Sequence, residues 1–224
     1  METPNRKTIS FITYHDGTEP YVTMADRLRR SVTTLDAGIC HVYEMRPNGG
    51  DLFTELLGDG YRLFTDSIMH GPVVLLDADC ILQKPIDVVF ETVDFDLAAV
   101  YRGKVSNSYG THNFLSTVAI FNDLRPEVAR YLWLDWASRI QSFSVVEMQK
   151  PKDAKPRNER FIERGWAPTW YSDQAALNDT ITEAAGLGIV TMPLDRERFA
   201  APPGTDDAYI VHAKGKGKLK DKGE

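Results

Sequence analysis

Apolar residues fall into short runs separated by polar breaks rich in Gly, Pro and Asp, and the period within the runs changes along the chain. Thr8-Ile9-Ser10-Phe11-Ile12-Thr13-Tyr14 is β-branched and aromatic and reads as a strand, closed by the turn signature His15-Asp16-Gly17. After Pro20, Val22, Ala25, Leu28 and Val32 recur at helical spacing, with Arg27, Arg29 and Arg30 largely outside. Residues 39–45 read as the next strand. This β–turn–helix–β order predicts an α/β fold with a parallel sheet. Short helices are expected at 51–57 and 61–69, split by Gly58-Asp59-Gly60. Pro72-Val73-Val74-Leu75-Leu76 is a buried-strand pattern that runs directly into Asp77-Ala78-Asp79.

Beyond it the pattern predicts a helix over 85–93, a strand over 96–101, a polar loop over 102–113 and an apolar strand over 114–121. A helix follows over 126–142, its aromatics read as core. Ser172 is placed to start another, with Asp173 and Gln174 in its first turn. Strands are expected at 187–192 and 207–211, the second ending at His212-Ala213-Lys214-Gly215-Lys216-Gly217-Lys218.

Length and composition narrow the classes. A chain of 224 residues, 42% of them hydrophobic, suits one domain with a sizeable core. A net charge of −6 argues against a general nucleic-acid or membrane-surface binder. Two scattered cysteines, Cys40 and Cys80, leave one disulfide arithmetically open but suit a reducing compartment. The first seven residues lack the apolar segment of a signal peptide, and no run reaches the ~18 apolar residues of a membrane helix. A cytoplasmic protein is expected.

The candidate chemistry centres on Asp77 and Asp79. Residues i and i+2 of an extended chain point to one side, so the two carboxylates can face one site. Held that close they repel, and either one is protonated or a cation lies between them. A divalent cation at the carboxyl end of a buried strand is where an α/β fold would hold a phosphorylated ligand. Around this pair stand weaker candidates. Tyr14 and Asp16 flank the end of the first strand, where a nucleotide base could bind, although Asp16 also reads as a helix cap. Arg62 could reach phosphate oxygens or be a solvated surface charge. His212 is a metal-ligand type at a strand end, and Gly215 and Lys218 suit phosphate in a tail that otherwise reads as solubilising charge. Residues 149–164 carry Lys150, Lys152, Lys155, Arg157, Arg160 and Arg164 and read as a surface loop, an active-site flap or a basic contact for an anionic acceptor.

Asp77-Ala78-Asp79, Asp173-Gln174 with Leu177-Asn178, and the His-x-x-Gly-x-x-Lys pattern at His212, Gly215 and Lys218 occur in that order. Together they resemble the GT-A fold glycosyltransferases, in particular the retaining enzymes of family 8, over about residues 8–218. The resemblance implies a single GT-A type domain over 1–224, with a Rossmann-like, mostly parallel sheet flanked by helices. Its nucleotide-binding half would span 1–79, its sugar and acceptor half 80–211, and its basic tail 212–224. It implies that Asp77, Asp79 and His212 hold Mn²⁺, with Mg²⁺ as the alternative, bridging the diphosphate of a nucleotide-sugar, expected as a UDP-sugar. It implies diphosphate contacts from Lys218 and the Gly215 backbone, and a donor contact from Arg62, which lies in a similar Tyr-Arg-Leu segment. Asp173 would bind donor sugar hydroxyls, and Gln174 would lie beneath the anomeric carbon. Two departures stand out: Ala175 where the family carries an aspartate, and Leu115-Ser116-Thr117 where it carries Asn-Ala-Gly.

The acceptor is open: a glycan first, a hydroxylated DNA base second, with a lipid-linked sugar or a protein hydroxyl also in range. A nucleotidyltransferase is the competing enzyme reading, against which Tyr14-His15-Asp16-Gly17-Thr18-Glu19 offers one glycine and no base. A non-catalytic nucleotide-sugar or nucleic-acid binding module is the reading from a different class.

Overall fold

A computed structural model describes residues 7–15, 17–44, 58–107, 110–148 and 172–213. The elements among them are β1 (Ser10–His15), α1 (Tyr21–Thr34), β2 (Ile39–Glu44), α2 (Asp59–Ile68), β3 (Val73–Asp77), β4 (Cys80–Leu82) and α3 (Val88–Thr92). The long strands β5 (Leu97–Asn107) and β6 (Gly110–Phe121) follow, then α4 (Pro126–Met148), α5 (Ser172–Gly186), β7 (Thr191–Asp195), α6 (Arg196–Phe199) and β8 (Ile210–His212). Six strands form one sheet in the order β2-β1-β3-β6-β5-β7, and β4 pairs with β8 in a separate ribbon. The sheet is mostly parallel: β6 alone is reversed, antiparallel to both β3 and β5, whereas β1/β2, β1/β3 and β5/β7 are parallel. The carboxyl ends of β1, β3, β5 and β7 therefore gather at one edge of the sheet.

Period-two alternation along the strands divides the core between two faces. Phe11, Val74, Leu76, Ala98, Val100, Val118 and Ile120 face α1, α3 and the β4–β8 ribbon. Ile12, Val73, Leu75, Leu97, Ala99, Ala119 and Phe121 face α2, α4 and α5. On this second face Phe64 stacks on Trp133 with ring centroids 4.4 Å apart and meets Phe121 edge-on at 5.0 Å. Phe64 is completely buried. Phe64→Ala is expected to cost about 3–5 kcal/mol through lost burial and the cavity left behind, measured by chemical denaturation. The strands approach their neighbours closely at the start of the sheet. A Cβ on Gly71 would lie 2.2 Å from the Thr8 carbonyl oxygen, so only glycine fits there.

Several boundaries differ from the sequence pattern. The expected loop over 102–113 is instead the far part of a β5–β6 hairpin, paired as far as Asn107 and Gly110. Polar residues hid it, because main-chain pairing closes a hairpin even where no apolar alternation marks a buried face. The expected strand over 187–192 starts only at Thr191. Leu187 and Ile189 N–H groups instead close α5 on the Ala184 carbonyl, with Gly188 at φ +71°. The last strand begins at Ile210, three residues later than expected, because a turn at Thr205 precedes it. Helix α4 runs on to Met148. The expected helix over 51–57, the basic segment 149–164 and the tail beyond Ala213 lie outside the described residues. Cys40 and Cys80 are free thiols. Among the described residues, no helix is long and apolar enough to cross a membrane.

Candidate functional site

Strand β3 delivers Asp77 as its last residue, and a two-residue turn brings Asp79 to the start of β4. The β4–β8 pairing then does what local sequence could not. Cys80 lies opposite His212, and the Ala213 N–H donates to the Asp79 carbonyl at 3.0 Å. His212 Nε2 comes to 3.0 Å from Asp79 Oδ1 and 3.5 Å from Asp77 Oδ2. One ligand atom from each of the three residues lies within 4.8 Å of the other two. Asp79 and His212 are buried, while 43% of the Asp77 side chain still meets solvent.

Asp77 is pushed up from 3.8 to about 6. Surrounding protein atoms that displace water are the chief cause. The Asp79 and Asp173 carboxylates add to the rise, and His212 and a Thr117 hydrogen bond oppose it. Two carboxylates and an imidazole form an oxygen and nitrogen donor set that fits Mn²⁺, or Mg²⁺ less well. Such a cation would need Asp77 deprotonated and His212 neutral. Protons therefore compete with it, and the sign is fixed: affinity is lost as pH falls. We expect apparent Mn²⁺ affinity to be level above pH 7 and to fall below about 6, the slope approaching about tenfold per unit. Calorimetric titration across this range checks it, and Asp77→Asn should flatten the steep part.

A second group of side chains stands beside the cluster. Asp173, in the first turn of α5, accepts a hydrogen bond from Ser116 Oγ at 2.6 Å, and its main-chain carbonyl accepts one from Trp136 Nε1 at 2.8 Å. One turn on, Asn178 clamps α5 to β6. Its Oδ1 accepts from the Asn113 and Phe114 N–H groups, and its Nδ2 donates to the Phe114 and Gln174 carbonyls. Gln174 is buried, and its Nε2 has no hydrogen-bond partner. An unpaired buried amide donor is costly, and a ligand oxygen is the natural acceptor.

Tyr14 lies directly across from Asp77 in the β1–β3 register. Its ring meets Tyr43 edge-on at 5.7 Å, and its hydroxyl is buried without a partner. Burial holds that hydroxyl well above the usual phenol range. The neighbouring His15 accepts the Gly17 N–H on Nδ1 at 3.1 Å. Asp16, Gly215 and Lys218 lie outside the described residues. Arg62 is not drawn in by any described contact. It pairs with Asp59 at 3.6 Å on the α2 surface, with 84% of its side chain exposed.

Thus Asp77, Asp79, His212 and Asp173 converge, with Tyr14 beside them and Gln174 following Asp173 in α5. Sequence reading missed Ser116, Thr117, Trp136 and Asn178 as their supports. The available signal was a pair of hydroxyl residues inside an otherwise apolar strand. A register shift between Ala99 and Val100 displaces β6 there, so Ser116 reaches Asp173 while Thr117 reaches Asp77.

No known protein-family model and no curated protein matches the chain. Solved structures do share its architecture. A glycosyltransferase involved in glycosylation of the major capsid of PBCV-1 superposes with a TM-score of 0.53 at 14% identity, over 94% of this chain and 95% of that one. The bifunctional glycosyltransferase WbbM gives 0.51 at 11% identity, over 96% of this chain and 47% of its own. Glycosyltransferase GlyE of Streptococcus pneumoniae TIGR4 gives 0.51 at 12%, over 94% and 56%. The chain thus spans about half of the latter two and nearly all of the first. In fold, the chain is an α/β domain of the GT-A glycosyltransferase type.

Proposed function

We propose that this chain is a metal-dependent retaining glycosyltransferase that moves a sugar from a nucleotide-diphosphate donor, a UDP-sugar, to an acceptor hydroxyl. The observation that carries the reading is the convergence of an Asp77–Asp79–His212 donor set with a separately anchored Asp173. Asp77, Asp79 and His212 would hold Mn²⁺, or Mg²⁺, which when bound supplies positive charge for the leaving diphosphate. Residues 1–79 form the nucleotide-binding half in this reading, 80–211 the sugar and acceptor half, and 212–224 the tail. Tyr14 and Asp16 border the nucleoside. Lys218 and the Gly215 backbone would supply diphosphate contacts, and Arg62 could join them only by leaving Asp59.

Asp173, held by Ser116, accepts hydrogen bonds from donor sugar hydroxyls and fixes the ring. Gln174 lies beneath the anomeric carbon in this reading, and its unpaired amide N–H donates to a donor oxygen beside that carbon. The acceptor oxygen bonds to that carbon as the bond to the phosphate oxygen breaks, and that same phosphate oxygen takes the acceptor proton. Attack and departure then share one face, which retains the anomeric configuration. An amide at position 174 is a poor nucleophile, which disfavours a covalent glycosyl intermediate.

The acceptor of this reading is a glycan hydroxyl, and a hydroxylated DNA base ranks second. Its place is the cytoplasm. The first experiment screens nucleotide-sugars with Mn²⁺ for nucleoside diphosphate release, which separates a transferase from a binding module and from a nucleotidyltransferase. Proton NMR of the first-formed product should show the donor's anomeric configuration. An inverted product would remove the retaining mechanism and leave the transferase reading standing.

A further inference from the structure

Arg102 is the one described cation whose burial the proposed reaction leaves unused. It lies on β5, two residues past Val100, and Val100 is paired with Leu115 beside Ser116. It therefore stands at the carboxyl edge, one strand beyond β6 and two beyond β3. At roughly 4.8 Å per strand this puts its backbone about 10 Å from that of Asp77. Alternation from Val100, which packs beneath the β4–β8 ribbon, directs Arg102 to the ribbon's face of the sheet. His212 points to the same side, because Ile210, two residues before it on β8, packs against the sheet there.

Arg102 Nε is buried and has no hydrogen-bond partner. Other partly buried ions are matched: Arg139 lies between Asp135 and Glu183, and buried Asp96 pairs with Arg125. The neighbouring acid across β7, Asp195, is occupied in capping Glu197 N–H at 3.0 Å. Next to Arg102, Gly103 breaks the ladder at φ +80°, with open space where a Cβ would point. A half-buried arginine whose buried Nε has no partner, next to open space at Gly103, is suited to a planar oxyanion.

The order along the edge indicates which one. In the proposed reaction, the nucleoside lies by β1, the diphosphate by β3 and the sugar by β6. What reaches β5 is the far side of the sugar or the acceptor. We propose that Arg102 forms a subsite for a sugar carboxylate, carried by the transferred hexuronate or by an acidic acceptor. This rests on the glycosyltransferase reading of the same edge.

The test titrates the full chain, saturated with Mn²⁺, with UDP and GDP. It then uses their neutral and acidic conjugates, UDP-glucose with UDP-glucuronate and GDP-mannose with GDP-mannuronate. Wild type should bind one hexuronate conjugate at least about tenfold more tightly than its neutral partner. Arg102→Gln should erase that ratio, Arg102→Lys should keep part of it, and both should bind the bare nucleoside diphosphate within about twofold of wild type. If the carboxylate belongs to the acceptor, the donor ratio stays near one. Free glucuronate then binds the nucleotide-loaded wild type but not Arg102→Gln. Thermal unfolding confirms that the variants are folded, and Arg102→Lys stands in if Arg102→Gln is not. If neither nucleotide binds, the glycosyltransferase reading falls and takes the subsite with it. If a nucleotide binds and no carboxylate is preferred in either arm, the subsite alone is overturned. The same holds if Arg102→Gln weakens the bare nucleotide as much as the conjugates.

Discussion

Asp79→Ala is expected to lower sugar transfer at least about 10²-fold, in line with the several kcal/mol that a bound cation contributes to a leaving group. Asp79 is buried, and its carboxylate lies 3.0 Å from His212. Without it, one carboxylate and one imidazole remain, too few protein ligands for a firm site. The fold should tolerate the change, because the strand pairing around Asp79 uses its main chain: its carbonyl still accepts the Ala213 N–H. Removing one acid relieves repulsion on Asp77 but takes away the carboxylate beside His212, so the metal-free variant should unfold somewhat earlier than wild type yet remain folded. Activity, Mn²⁺ titration and thermal unfolding on one preparation check all three. A folded Asp79→Ala chain with near-normal turnover would dispose of the metal assignment.

Asp173→Asn should separate the two halves of the site. Turnover is expected to fall about 10²-fold, since the sugar loses a charged acceptor aimed at its hydroxyls. Asparagine can still accept from Ser116 and still lets Trp136 bond the main chain, so the start of α5 should hold. The effect on metal binding should be much smaller. Behind burial and Asp79, Asp173 helps hold Asp77 up, so a neutral replacement eases proton competition there while weakening the field that draws in a cation. These changes oppose each other, and Mn²⁺ affinity near pH 6 should stay within about tenfold of wild type. A variant that loses metal along with turnover would place Asp173 in the cation site instead of the sugar site.

Much of the fold was legible because burial writes itself into sequence periodicity. The apolar run ending at Asp77 could only be a core strand, and the two acids after it could only lie at its carboxyl end. His212 was legible as a metal-ligand type at a strand end, but its partnership with the two acids came from the resemblance alone. Its position depends on β8 pairing with β4, a contact between distant parts of the chain that no local pattern encodes. The reversed direction of β6 was hidden for the same reason, since apolar alternation carries no strand polarity. Ser116 and Thr117 differ from the pattern of the resembling family, yet each hydrogen-bonds one of the site's acids. That role came from a local shift in register, which side-chain chemistry does not announce. Arg62 is the opposite case: a similar tripeptide suggested a site residue, and here it pairs with Asp59 on the exposed surface of α2.

The β4–β8 ribbon has a consequence for how the molecule is made. Three residue pairs join a segment near residue 80 to one near residue 211. During synthesis, the acids emerge long before the histidine that completes their set. Contacts so far apart form late, because the long loop between them must close first. On the metal-dependent reading, a newly made chain would thus remain unable to capture a cation until β8 has docked. Capture would then favour the docked state by mass action, locking the ribbon shut. Arrival of the final strand would act as a checkpoint, with metal affinity reporting that folding is complete.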